Sequence, residues 1–313
     1  MKDRTLKVMG RISRDKNFLA KFLRIQRSIA AFPILAVYFI VGSYFTRFDY
    51  FNLNFLLGAF ALYMLSVAVN GYNNLFDIEE DKLAISNKIM KANYLLKEFT
   101  LGQLKWNFAL TSIALACILL IIGKLEFIAL CTFTYILGIL YTKPIRLKNR
   151  PPLGTLSNTY GFSILPVLSC FFLLNGDLIS TIAFILAILL PTFASCLIAE
   201  IADRKIDRQI GTRTTACRLG KHVKSVIKAV LIFSAVFYFI ALYISWAAIL
   251  VTPFVVAILY ETRKLYFDFT DEKADYTLIK IGAHICRGLI IYVLAVIILH
   301  ETAATLLTSI FYN

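Results

Sequence analysis

Nine apolar blocks, most of them close to the thickness of a bilayer, constrain this chain more than any other feature. They cover residues 28–46, 51–69, 107–123, 125–141, 155–174, 179–199, 226–245, 246–262 and 278–299. A helix needs about 20 mostly apolar residues to cross the hydrocarbon of a membrane. The pairs 107–141 and 226–262 are nearly continuous, so each reads as a helical hairpin, split at Gly123-Lys124 and near Ser245-Trp246. The expectation is an all-α, polytopic membrane protein of about nine spans around a central cavity open toward the cytoplasmic side. Composition agrees: 59% of residues are apolar and 17% charged, against roughly 45–50% and about 25% in soluble domains.

A net charge of +14 would suit a nucleic-acid binder, but its distribution argues against that. Nine Lys and Arg precede the first block, and nearly all the others fall in the loops 70–106, 142–154, 200–225 and 262–287. Only Arg47 and Lys124 lie on the opposite side. This is the positive-inside pattern, which places the N-terminus and the four long loops in the cytoplasm and the C-terminus outside. The expected location is a cell (inner) membrane, with the bilayer and an anionic substrate as partners and no nucleic acid or protein partner implied. Residues 1–27 lack the apolar core of a signal peptide. They read as a basic amphipathic lead-in to one transmembrane domain spanning 1–313. The six cysteines show no CxxC spacing, and the three histidines are scattered, so neither group suggests a metal site.

Most spans are close to charge-free, which disfavours a channel or transporter, whose polar groups would sit near mid-membrane. The polar chemistry is at one rim. The second block runs directly into "NGYNNLFDIEEDK" (70–82), and the sixth into "AEIADRKIDRQIGTRT" (199–214). Asn73, Asp77 and Asp81 stand four apart, as do Asp203 and Asp207, with Glu200 three before Asp203. On a helix such spacing makes a polar stripe along one face.

Like charges at i and i+4 repel, so two such stripes suggest a cation that offsets the repulsion. Oxygen-only ligands suit a hard ion, Mg²⁺ above all, which takes one or two carboxylates plus phosphate oxygens. Basic residues to complete a diphosphate site occur in "YTKPIRLKNRPP" (Lys143, Arg146, Lys148, Arg150) and as Arg204, Arg208 and Arg213. A third DxxxD, Asp271 and Asp275, has no flanking Asn or downstream Gly-Thr segment and reads as a solvated loop.

Taken together, these motifs resemble the UbiA superfamily of intramembrane prenyltransferases. Its NxxxDxxxD motif matches Asn73, Asp77 and Asp81, and its DxxxDxxxGxxT motif matches Asp203, Asp207, Gly211 and Thr214. A Tyr-x-x-Pro…Leu-Lys segment matches Tyr141, Pro144, Leu147 and Lys148, and an Arg before the first span matches Arg27, with Arg24 as the competitor. The chain departs from the pattern after the first motif, where "ISNKIMKANYLL" replaces an Arg-Pro signature.

The resemblance implies Mg²⁺-dependent transfer of an isoprenyl group from a prenyl diphosphate to a small-molecule or lipid acceptor. It implies metal ligation by Asp77, Asp81, Asp203, Asp207 and Asn73. Substrate binding is expected from Asn73, Asn70, Lys148, Arg27 and Arg208, with a catalytic role for the carboxylates and for Tyr141. Two alternatives stay open: an intramembrane terpene cyclase using the prenyl diphosphate alone, and a cation transporter.

Overall fold

The structure, a computed structural model, describes residues 28–47, 49, 51–77, 99–209 and 211–264. Eight of the nine apolar blocks become helical there. The block 278–299, the lead-in 1–27 and the residues Asp81, Asp271 and Asp275 lie outside the described residues. The helices are α1 (Ser28–Phe45), α2 (Leu53–Phe76), α3 (Leu101–Ile122), α4 (Leu125–Thr142), α5 (Leu153–Leu174), α6 (Leu178–Gln209), α7 (Thr215–Leu219), α8 (Val223–Ile244) and α9 (Thr252–Lys264). Among the described residues there is no strand.

Local chemistry sets the boundaries. Asn52 caps α2 by accepting from the Phe55 N–H at 3.1 Å. Thr100 and Gln103 form a reciprocal capping box at the start of α3. Gly123, at φ +67°, ends α3 in the left-handed conformation that glycine adopts without penalty. Ser245, in an extended conformation, separates α8 from the 3₁₀ turn Trp246–Val251. Both hairpin splits therefore fall where the sequence placed them. Lys124 has a structural reason for its isolated position: its Nζ donates to the Leu173 carbonyl at 2.9 Å and to Asn175 Oδ1 at 3.1 Å. A cation at this C-terminus of α5 complements the negative end of the helix dipole.

Among the described residues six segments are long and apolar enough to cross a membrane, namely α2 to α6 and Thr215–Ile244, while Ala31–Phe45 and Trp246–Tyr260 are shorter apolar helices. Their outward faces carry bare hydrophobic side chains, among them Trp106, Ile113, Leu120, Phe239 and Tyr243. Apolar surface on this scale marks contact with lipid. Inside, α2 packs along α3 and α6 along α8, with α1 and α5 between the two halves. Tyr38 and Phe55 stack at 5.4 Å in the main core. A smaller core of Leu197, Ile198, Ile201, Ala216, Val223 and Ile227 underlies the end of α6.

Two helices run past their apolar blocks at the same end of the bundle. α2 continues to Phe76 and carries Asn70 and Asn73; α6 continues to Gln209 and carries Glu200, Asp203 and Asp207.

Candidate active site

The first stripe differs from a continuous helical face. Asp77 is not in α2 but caps its C-terminus, with its N–H bonded to the Asn73 carbonyl at 2.9 Å. The physical reason is electrostatic. A helix C-terminus carries partial negative charge, and four carboxylates at 77, 79, 80 and 81 would extend the helix into its own repulsion. The second stripe also sits in the last turns of its helix. Both motifs thus concentrate side-chain and backbone negative charge where a cation gains most.

At Asp77 the protein supplies one cation itself. Lys148 Nζ lies 2.7 Å from Asp77 Oδ1, and both side chains are largely buried. Lys148 rides on the 3₁₀ turn Leu147–Asn149, entered through Arg146 at φ +55°. Gly154 lets that turn lie flat on α5, because a Cβ there would come within 2.9 Å of the Lys148 Cα. The Tyr-x-x-Pro…Leu-Lys segment therefore aims one ammonium at the first motif.

Behind this pair lies a cavity of about 130 Å³. Asn70, Asn73, Tyr141 and Asn158 give it polar walls, and Ile34, Leu65, Leu137 and Leu165 apolar ones. Asn70 is held by a 2.8 Å bond to the Ser66 carbonyl. The Tyr141 hydroxyl accepts from Asn158 at 3.1 Å, and Asn73 accepts from the Thr142 hydroxyl. Inside α5, residues Tyr160–Ile164 form a π-helical turn, and Tyr160, Gly161 and Phe162 line the cavity. Such turns recur at functional sites because they re-aim side chains within a helix. Tyr141 and Tyr160 line the cavity, whereas Tyr135 hydrogen-bonds Ser112 at 3.0 Å.

The second motif is organised by its own Gly and Thr. Gly211, at φ +74°, turns the chain after α6. Thr214 then caps α7, accepting from the Cys217 N–H, and donates to Asp207 Oδ2 at 3.4 Å. The spacing DxxxDxxxGxxT is the length of chain needed to bring that hydroxyl back onto the carboxylate.

Sequence reasoning passed over the link between the motifs. Glu200 Oε1 accepts from the Thr155 hydroxyl at 2.5 Å, and Oε2 from the Ala216 N–H at 2.9 Å. Thr155 also bonds the Thr215 hydroxyl. Since Thr155 follows Gly154, on which the Lys148 turn rests, a continuous set of contacts runs from Asp77 through Lys148, α5 and Glu200 to α7. The faint signal was Glu200 itself, a carboxylate still within the apolar part of α6.

The expected basic residues divide. Lys148 meets Asp77, Lys143 lies 5.2 Å from the centre of the Phe76 ring, and Arg204 donates to the Gly220 carbonyl at 3.4 Å. Arg208 instead lines a separate cavity with Arg150 and Arg213. Arg27 and Asp81 lie outside the described residues. Among the described residues no three His, Cys, Asp or Glu side chains form a ready-made metal cage. The oxygen-only donor set still fits Mg²⁺, which favours a few carboxylates completed by phosphate oxygens.

Comparison with known proteins gives the fold its context. No curated protein matches the chain. A solved UbiA homologue from Archaeoglobus fulgidus, bound to DMAPP and Mg²⁺, superposes with a TM-score of 0.69 at 16% identity, covering 88% of this chain and 99% of that one. A UbiA homologue from Aeropyrum pernix K1 gives 0.63 at 16% identity, over 85% and 98% of the two chains. A digeranylgeranylglyceryl phosphate synthase structure gives 0.62 at 16% identity, over 89% and 98%. At this identity the likeness establishes a shared fold. The model of the UbiA prenyltransferase family matches residues 30–283. The chain belongs to the UbiA prenyltransferase family, and is a prenyltransferase.

Proposed function

We propose that the protein transfers an isoprenyl group from an allylic prenyl diphosphate to an acceptor within the membrane, with Mg²⁺ as cofactor. The observation that carries this reading is the Lys148–Asp77 pair beside a cavity polar on one side and oily on the other. It suits a substrate with a charged head and a hydrocarbon tail. Relatives of the same fold, from Archaeoglobus fulgidus, were solved with DMAPP and Mg²⁺ and with GPP and Mg²⁺.

Asp77, Asp81, Asp203 and Asp207, with Asn73, would hold the metal. Bound Mg²⁺ would supply charge neutralisation for the departing diphosphate. The protein's own residues do the rest. Lys148 and Arg27 donate to the leaving group as negative charge develops on it. Asn70 and Asn73 orient the head at the polar wall. Tyr141 and Tyr160 turn aromatic surface toward the reacting carbon, where it favours positive charge and keeps water out. The bond to carbon breaks with its electron pair leaving on diphosphate; the acceptor's nucleophile forms the new bond and gives up a proton. We read the motif end as the cytoplasmic one, on the distribution of Lys and Arg, with the chain as one domain.

The test is to incubate the purified full chain in detergent with Mg²⁺ and geranyl or geranylgeranyl diphosphate, with and without an acceptor panel covering phenols and glyceryl lipids. Acceptor-dependent diphosphate release with a prenylated product is expected. Cyclic hydrocarbon formed from the diphosphate alone would assign the chain to terpene cyclisation instead, and no diphosphate release under any condition would overturn the reading.

A further inference from the structure

A second cavity, of about 860 Å³, opens beside the site and shares none of the residues that line the first. Arg150, Arg208, Arg213 and Arg218 all line it, and among the described residues no carboxylate does. Among the described residues, none of these four guanidinium groups takes part in an ion pair. All four are exposed at the rim, so water screens part of their mutual repulsion, and an anion seated among them relieves the rest. Two further polar groups on its walls are unsatisfied: the buried hydroxyl of Thr212, which is 5% exposed, and Asn149 Oδ1 have no hydrogen-bond partner. A buried polar atom without a partner is costly, and such atoms are rare in native proteins.

The chemistry excludes a copy of the carboxylate site. The described lining offers arginine and no carboxylate, a donor set that neutralises an anion directly and does not ligate a divalent ion. The guanidinium fork matches phosphate oxygens two at a time. The cavity also has a place in the reaction. Asn149 and Arg150 directly follow Lys148, and Arg208 directly follows Asp207. This cavity and the proposed diphosphate site thus draw on the same two chain segments while the two cavities share no lining residue, so a group bound here does not compete for the ligands of the prenyl diphosphate head.

We infer that the arginine cavity holds a phosphate group carried by the acceptor, which makes the second substrate a phosphorylated amphiphile. This rests on the prenyl-transfer reading and deepens it by naming the acceptor class. The site works without metal, and the anchored phosphate fixes where the acceptor's nucleophile is presented.

The full chain in phosphatidylcholine nanodiscs, with EDTA present, is titrated with glycerol phosphate by calorimetry. Saturable binding is expected, weakened about tenfold by Arg213→Gln and by Arg218→Gln, as for the loss of one charge-assisted hydrogen bond. Arg213→Lys should recover part of the loss, and Asp77→Asn should leave binding unchanged. Absence of saturable binding, or equal binding in the glutamine variants, would overturn the site. Replacing phosphatidylcholine with phosphatidylglycerol separates the two sources of phosphate. Unchanged affinity supports the acceptor; a tenfold drop means that bilayer headgroups fill the cavity, which overturns the acceptor assignment. Mg²⁺-dependent cleavage of geranyl diphosphate, measured in parallel, reports on prenyl transfer alone, so the two readings fail separately.

Discussion

The two cavities at the motif end are neighbours with opposite designs. The first is about 130 Å³, walled by amides, tyrosine and aliphatic side chains, with one carboxylate–ammonium pair at its edge. The second is over six times larger in volume, about 860 Å³, and among the described residues its charge is arginine only. On the readings proposed above, one takes a hydrocarbon with a metal-bound head and the other a bare anion. Basic charge would then have two separate uses, and the +14 of the whole chain says nothing about which arginine serves which.

The sharpest way to break this distinction is Asp77→Ala. Diphosphate release should fall by about 10³-fold or more, the scale of losing a principal charge-stabilising group, while glycerol phosphate binding persists. Monodisperse elution in detergent confirms that the variant is folded. Loss of both activities together would mean that the cavities act as one. Lys148→Met should cost about 10²-fold in kcat/KM for the prenyl diphosphate, with Lys148→Arg milder; steady-state kinetics with geranyl diphosphate decides it.

The π-helical turn offers a probe of length rather than rate. A Cβ at Gly161 meets nothing within 4 Å, so Gly161→Phe should enter the first cavity and shift preference from geranylgeranyl to shorter diphosphates, read from competing substrates. Gly138→Ala is its control. A Cβ there would sit 2.6 Å from both Val69 methyl groups, so overpacking should lower stability by about 1–3 kcal/mol, measured as a lower melting temperature. The smallest expected effect is Thr212→Val, which removes an unpartnered hydroxyl. It should weaken glycerol phosphate binding a few-fold and leave prenyl diphosphate kinetics alone.

Much of the scaffold was legible because membrane spans are local statements. Eight apolar blocks became helices, and Gly123 and Ser245 marked the breaks, since length, apolarity and a left-handed glycine act within a few residues. The resemblance gave Lys148 a substrate-binding role, but its pairing with Asp77, 71 residues away in the chain, was not legible. What escaped was of two kinds. The end of α2 at Asp77 reflects a balance between helix dipole and carboxylates that a spacing rule ignores. The Thr155–Glu200–Ala216 bridge and the four-arginine cavity are assembled from residues 149–155, α6 and the chain after α6. No periodicity in any one segment records them.

The Lys148–Asp77 contact has a consequence for the order of events. A carboxylate already holding an ammonium at 2.7 Å offers a lone divalent ion a poor welcome. Once a diphosphate gives the lysine somewhere else to go, the same oxygen atoms become available. If Asp77 and Lys148 hold the roles proposed for them, metal and prenyl substrate would load as a couple, each making room for the other.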